Sequence, residues 1–96
     1  MKYGISHFFP GGTKAQYEAI MTAMNGKLGV IPKGQIFHAA GPTPGGWQIV
    51  AIQESKESWD QFMKDIFVPL VTKGIAGGFT SPPTETVFDV SHFYKG

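Results

Sequence analysis

The sequence predicts an α+β domain in which a four-stranded antiparallel sheet carries two helices on one of its faces. Two stretches repeat apolar residues at helical spacing, and four others are rich in β-branched and aromatic residues. Their order along the chain is βαββαβ, the split βαβ arrangement of the ferredoxin-like fold. Because the chain has 96 residues, we expect a single domain over residues 1–96.

The first part of the chain predicts a strand followed by a capped helix. Tyr3 to Phe9 has the residue types of a strand, and Pro10-Gly11-Gly12 ends it. Thr13 and Gln16 have the spacing of a capping box at the start of a helix. Asn25-Gly26 is a stop signal for the same helix. The apolar face of this helix consists of Tyr17, Ile20, Met21 and Met24. A connection over Leu28 to Lys33 follows.

The segment FHAAGPTPGGW predicts a β-hairpin. The runs Gln35–Ala40 and Trp47–Gln53 read as strands, and Gly41–Gly46 between them contains two prolines and three glycines. From Trp47 to Ile52 both alternating sets of residues are mostly apolar, which is typical of a strand buried on both faces. The helices cover one face only. We therefore expect a second copy of the chain to cover the other, in a homodimer with sheets packed face to face.

The remaining chain predicts a second helix, a loop and a last strand. Ser55 can cap the helix, and Pro69 predicts a kink or an early end because it lacks a backbone donor. The apolar stripe of this helix consists of Trp59, Phe62, Met63, Ile66, Phe67, Leu70 and Val71. Gly74 to Pro83 predicts a loop that can serve as a lid, and Glu85 to Tyr94 predicts the final strand.

Several motifs resemble one group of proteins over essentially the whole chain. They are FPGGT before the first helix, FHAAGPTPGGW at the hairpin, ESKESWDQF at the second helix, PP before the last strand and VSHF near the end. With the βαββαβ order, they resemble the dimeric α/β-barrel superfamily, and within it small antibiotic biosynthesis monooxygenase-like proteins of unassigned function. The resemblance implies a dimeric α/β barrel with a small-molecule cavity between sheet and helices. Members include cofactor-free oxygenases, polyketide cyclases, lactone isomerases and haem proteins.

Composition excludes several classes of function. The formal net charge is +1 with no block of like charge, so we expect no nucleic-acid partner and no anionic membrane partner. The chain has 0 cysteines, which excludes disulfides and thiolate catalysis. The first residues, MKYGISHFFPGG, contain no continuous apolar run typical of a signal peptide. We therefore expect a cytoplasmic protein.

The three histidines raise the hypothesis of a metal site, but the predicted topology argues against it. His38 and His92 fall on the two edge strands of a 4-1-3-2 sheet, about 14 Å apart. Bonds from a metal to imidazole are only about 2 Å long. His7 and His92 lie near opposite edges of two antiparallel strands. We expect no metal and no cofactor, and we expect His7, which lies close to a loop, to be structural or solvated.

His38 remains as a candidate general base or hydrogen-bond donor. The ordinary pKa of histidine, about 6.5, suits proton transfer near neutral pH, and the surrounding segment is mostly apolar. The alternative is a structural histidine that donates to a backbone carbonyl or packs in the dimer interface. Strand parity decides which face the ring occupies, and a one-residue change of register would reverse it. His92 and Tyr94 share one face of the predicted last strand, as a second polar pair for a substrate or as part of the interface or tail.

Aromatic residues make up 14% of the chain and can line an apolar pocket for an aromatic ligand. Candidates for binding such a ligand are Phe37, Trp47, Trp59, Phe62 and Phe67, with Phe79 and Phe88 as further members. The alternative is ordinary core packing. With the resemblance, these residues lead to the hypothesis of a cofactor-free monooxygenase-like enzyme that acts on an aromatic or polyketide-like molecule. A cyclase or isomerase, and a non-catalytic binding or interaction protein of the same fold, remain the alternatives.

Overall fold

The computed structural model describes residues 1–26, 29 and 31–96. Leu28 and Val30 of the predicted connection lie outside the described residues. The elements, in chain order, are β1 (Lys2–Pro10), α1 (Lys14–Asn25), β2 (Gln35–Thr43), β3 (Gly46–Gln53), α2 (Lys56–Phe62), a π-helical turn (Met63–Phe67), α3 (Val68–Lys73) and β4 (Thr84–Val90). The chain thus has the α+β composition that the sequence predicts.

The four strands form one antiparallel sheet in the order β2-β3-β1-β4. Counted from the β4 edge, this order is 4-1-3-2, and it is consistent with a ferredoxin-like fold. The central strands are β3 and β1, so β2, which carries His38, is an edge strand. An edge strand forms backbone hydrogen bonds with one neighbouring strand only, so contacts made by its side chains help to hold it in place.

The two faces of the sheet differ in what covers them. On β1, Tyr3 and Ile5 are buried and join Trp59 and Phe62 of α2 in the core. Side chains that alternate with this set point away from the helices. On that open face Phe37, Val50 and Phe88 are 41%, 39% and 50% exposed. The open face is therefore partly apolar, as the pattern of β3 indicates.

Helix α1 begins and ends at the predicted signals. The Thr13 side chain accepts a hydrogen bond from the Gln16 backbone N–H, and the Gln16 side chain accepts one from the Thr13 backbone N–H. This reciprocal pair is the capping box. At the other end, Gly26 adopts the left-handed conformation and its N–H donates to the carbonyl of Thr22. The prediction for this helix is confirmed.

The second helical segment departs from α-helical geometry before Pro69. Across the π-helical turn the N–H of Val68 donates to the carbonyl of Met63, five residues earlier. One additional residue in a turn rotates all later side chains by about 100° around the helix axis. Trp59 and Phe62 are buried, whereas Ile66 and Val71 are 39% and 52% exposed. The predicted apolar stripe is therefore buried only in its first part.

The hairpin and the last strand differ from their predicted bounds. Both hairpin strands extend further, so the turn consists of Pro44 and Gly45 alone. The last strand ends at Val90, which leaves the predicted pair His92 and Tyr94 in the tail beyond it. The rings of this pair stack, with centroids 6.3 Å apart. Within the described residues, no helix combines the length and the apolar character needed to cross a membrane.

Candidate functional site

A cavity of about 60 Å³ lies between the sheet and the helices. Its walls are mostly apolar and come from β1, α1, β2, β3, the second helical segment and the loop before β4. Four polar side chains line it: His7, Tyr17, Gln35 and His38. A cavity of about 150 Å³ holds one benzene molecule. The cavity in its present form is therefore too small for a single aromatic ring.

The His38 ring lies on the helix-facing side of β2 and has partners at both nitrogens. Nε2 is 2.6 Å from the Tyr17 hydroxyl of α1, and Nδ1 is 2.8 Å from Oε1 of Gln35. The strand pairing shifts between Gln35 and Phe37, because Ile36 forms a β-bulge. In a regular strand, residues three apart point to opposite faces. The bulge places Gln35 and His38 on the same face and so makes their hydrogen bond possible.

A chain of polar contacts favours the tautomer of His38 that carries its proton on Nδ1. The carbonyl of Lys33 can only accept, so the group 3.3 Å from it must be the Gln53 amide nitrogen. Oε1 of Gln53 then faces Nε2 of Gln35 at 3.5 Å, and Oε1 of Gln35 accepts from His38 Nδ1–H. Nε2 of His38 is left with its lone pair, and the Tyr17 O–H donates to it. The geometry thus prepares Nε2 as a base.

Burial keeps both members of the Tyr17–His38 pair neutral. It lowers the pKa of His38 from the ordinary 6.5, because the imidazolium would lose its hydration. Burial and, to a smaller extent, the Glu18 carboxylate raise the pKa of Tyr17 above 10.0. At neutral pH the pair is therefore a phenol that donates to an imidazole. A net charge in the cavity requires a ligand that brings a compensating charge of opposite sign.

The structure brings together some of the predicted site residues and separates others. Trp59, Phe62 and Phe67 line the cavity with His38. Trp47 is buried behind the site, with its ring 5.2 Å from that of Tyr17. The other three predicted residues do not line the cavity, since one is on the open face and two are in the tail: Phe37, His92 and Tyr94.

His7 is buried in the cavity wall, so of the two predicted alternatives, structural or solvated, the structure agrees with the first. It is 8% exposed, and its Nε2 lies 2.7 Å from a carboxylate oxygen of Glu85 on β4. The alternation of the strand carried a signal, because His7 lies on the same face of β1 as Tyr3, Ile5 and Phe9, which are all buried. The other polar cavity residues that the sequence does not reveal are Tyr17 and Gln35. Tyr17 falls on the predicted apolar face of α1, and nothing in the sequence indicates a partner for its hydroxyl.

Metal ligands do not assemble in the described part of the chain. No cluster of three or more histidine, cysteine, aspartate or glutamate side chains there is arranged to hold an ion. His7 and His38 line the same cavity, but His7 pairs with Glu85 and His38 with Tyr17 and Gln35. The two histidines thus face one cavity with separate hydrogen-bond partners.

Comparison with known proteins gives no assignment. No family model matches the chain, and no curated protein matches it.

The lowered pKa of His38 predicts a specific dependence of stability on pH. Below about pH 7.5, and down to the lowered pKa of His38, the unfolded chain takes up a proton at this residue more readily than the folded protein. The free energy of unfolding should therefore fall as pH falls below 6.5, the ordinary pKa of histidine, until the lowered pKa is passed. Urea unfolding across this range should show a steeper loss for the wild type than for His38→Gln. The control His92→Gln should keep the wild-type slope, and equal slopes for wild type and His38→Gln would contradict a buried neutral His38.

Gly34 is predicted to be essential for the hydrogen-bond chain behind His38. Its φ is +86°, and a Cβ there would overlap the Ser58 hydroxyl and lie 2.9 Å from Nε2 of Gln53. Gly34→Ala should lower the free energy of unfolding by about 2 kcal/mol or more, because strain and overlap add. The control is Gly41→Ala on β2, because a Cβ at Gly41 would have open space around it. In urea unfolding, the free energy of unfolding of that control should stay within about 0.5 kcal/mol of the wild type. A similarly small loss for Gly34→Ala would show that glycine is not required at position 34.

Proposed function

We propose that the protein is a cofactor-free enzyme that removes a proton from an aromatic or polyketide-like small molecule bound between the sheet and the helices. The observation that carries this proposal is the Tyr17 O–H, which donates over 2.6 Å to the lone pair of His38 Nε2 in the wall of an apolar cavity. Such a pair can receive a proton from a ligand, because each partner can accept one and pass one on. The aromatic walls favour a flat apolar ligand.

The proton would move in two coupled steps. A ligand hydroxyl or acidic C–H gives its proton to the Tyr17 oxygen, and Tyr17 gives its own to Nε2 of His38. Tyr17 ends neutral, the ligand becomes an anion and His38 becomes an imidazolium whose Nδ1–H still donates to Gln35. The anion and the imidazolium then compensate each other's charge within the apolar cavity.

This route restricts the substrate to relatively acidic molecules. An ordinary phenol has a pKa near 10, about 3.5 units above an ordinary histidine, so proton transfer would cost about 5 kcal/mol. Because burial lowers the pKa of His38, the cost for a simple phenol is higher still. Polyphenols and 1,3-dicarbonyl compounds, which give delocalised anions, are therefore better substrates than simple phenols.

In the oxygenase version of the proposal, the delocalised anion reduces dioxygen directly. A ring methylene loses its two hydrogens and gains one oxygen atom as a carbonyl, while the second oxygen atom leaves as water. The enzyme supplies a base, a hydrogen-bond donor and a dry cavity, and dioxygen is the oxidant. In a cyclase or isomerase, the same anion attacks a carbonyl of its own molecule or is protonated at another carbon.

A non-catalytic binding protein is the second candidate. The observation that favours it is that both nitrogens of His38 already have partners within the chain. In such a protein the role of the fully hydrogen-bonded His38 is to hold α1 against β2. In that case the cavity binds a ligand without changing it.

The proposal is tested by oxygen uptake and substrate loss with a panel of polyphenols and hydroquinones. Tyr17→Phe removes the proton donor and His38→Gln removes the base, so each should lower turnover by about 100-fold or more. The control His92→Gln, in the tail, should retain wild-type turnover. Substrate loss without oxygen uptake would indicate the cyclase or isomerase. Binding with no turnover in the wild type would reject the enzyme and favour the binding protein.

We also propose that the protein forms a homodimer through the open face of the sheet, which would make it a dimeric α/β barrel. Support comes from the exposed Phe37, Val50 and Phe88 and from the small size of the chain, which limits what one copy can bury. Stable interfaces of this kind bury about 1,200–2,000 Å² in total. The cytoplasm remains the proposed compartment, on the grounds of composition.

If the open face is the dimer interface, a charge introduced there should dissociate the dimer, whereas a charge introduced elsewhere on the surface should not. Val50 lies on the central strand β3 within the open face, so Val50→Glu should convert the dimer to a monomer at micromolar concentration. Val68→Glu is the matched control, since Val68 is 51% exposed on α3, outside the sheet. Light scattering gives the molar mass of each variant. A wild-type monomer, or a dimer that survives Val50→Glu, would refute this interface.

A further inference from the structure

A second cavity of about 500 Å³ lies next to the first. It is partly open to solvent, it is bounded by the loop between α3 and β4 and by the end of the second helical segment, and its walls are mostly apolar. Four residues line both cavities: Phe9, Ile20, Phe67 and Phe79. The two spaces therefore share one wall, which is built largely from aromatic rings.

The ring of Phe79 is the part of that wall that belongs to a loop. It stacks on Phe9 of β1, with centroids 3.8 Å apart and an angle of 14° between the planes. On another side it lies against Gly12, where a Cβ would be only 2.9 Å from the ring. Phe9, Ile20 and Phe67 stand on a strand, a helix and the π-helical turn. Phe79 is the only one of the four whose backbone lies in a loop, so its ring can change position together with that loop.

We propose that the two cavities form one binding site for a multi-ring aromatic hydroxy compound, divided by the ring of Phe79, which rotates to admit the ligand. The inner cavity, at about 60 Å³, is too small for one ring, whereas the outer one lies within the usual range for small-molecule sites, about 300–1,000 Å³. A ligand that reaches Tyr17 must therefore extend through both. One of its rings takes the place of Phe79 on the face of Phe9, so stacking lost on opening is regained on binding.

This inference rests on the proposed function, because it takes the Tyr17–His38 pair as the acceptor of the ligand hydroxyl. It adds the shape of the ligand and a residue that controls access. A multi-ring compound with a hydroxyl at one end fits this arrangement, with the hydroxyl at Tyr17 and the remaining ring in the outer cavity. A single-ring phenol gains little from the outer cavity.

The test is calorimetric titration with 2-naphthol as the probe, measured on the full chain. Phe79→Ala opens the wall and should lower the Kd about 2- to 10-fold, the range expected for one aromatic pair. Phe79→Trp should raise the Kd and slow association in stopped-flow experiments. Phe93→Ala is the control, since Phe93 is in the tail and lines neither cavity. If the alanine variant fails to fold by circular dichroism, Phe79→Leu replaces it.

A second comparison tests whether the hydroxyl of the ligand binds at Tyr17. Tyr17→Phe should weaken binding of 2-naphthol and leave binding of naphthalene, which lacks the hydroxyl, unchanged. An equal Kd for wild type, Phe79→Ala and Phe79→Trp would overturn the gate, and no binding of 2-naphthol to any variant would overturn the joined site. None of these measurements involves turnover. Binding of 2-naphthol that depends on Phe79, together with no turnover of any compound in the polyphenol and hydroquinone panel, would support this inference and reject the proposed enzyme.

Discussion

The candidate site depends on one buried amide, the side chain of Gln53 at the end of β3. It is 0% exposed, so its donors and its acceptor need partners within the protein. The Gln53 amide nitrogen donates to the carbonyl of Lys33. This orients the amide and, through it, the polar contacts that lead through Gln35 to His38. A group that does not line the cavity thus favours the arrangement in which Tyr17 donates to His38. A site built in this way is oriented before any ligand arrives.

The cavity beside His38 follows from the irregular second helical segment. In α2, Trp59 and Phe62 pack on the core residues of β1. Beyond the π-helical turn, Val68 and Val71 are more than half exposed, so they do not fill the space next to Phe67. Phe79, from the loop, closes that space instead by stacking on Phe9. A regular helix would fill the gap with its own side chains, and a loop residue would not be needed.

Features that depend on residues close together in the sequence could be predicted. Contacts between residues that lie far apart in the chain could not. Thr13 and Gln16 interact over three residues, so their spacing alone predicts the cap that the structure shows. His38 could be singled out for its chemistry. Its partner Tyr17 lies on another element, 21 residues earlier in the chain, and no spacing rule connects the two. The bulge at Ile36, which brings Gln35 and His38 to one face, reverses the parity on which strand predictions depend. Phe37, predicted to bind the ligand beside His38, lies on the open face for a simpler reason: adjacent residues of a strand point to opposite faces.

Strand β2 links the two faces of the sheet. Phe37 and His38 are neighbours in sequence and point to opposite faces, one to the open face and one to the cavity. As an edge strand, β2 is hydrogen-bonded to β3 alone, and the contact between Tyr17 and His38 ties it to α1. In the proposed dimer, the second copy would bury Phe37 and hold β2 from the other side. Formation of the dimer would then restrict the motion of the strand that carries the base, so the oligomeric state and the geometry of the Tyr17–His38 pair would be coupled through two adjacent residues.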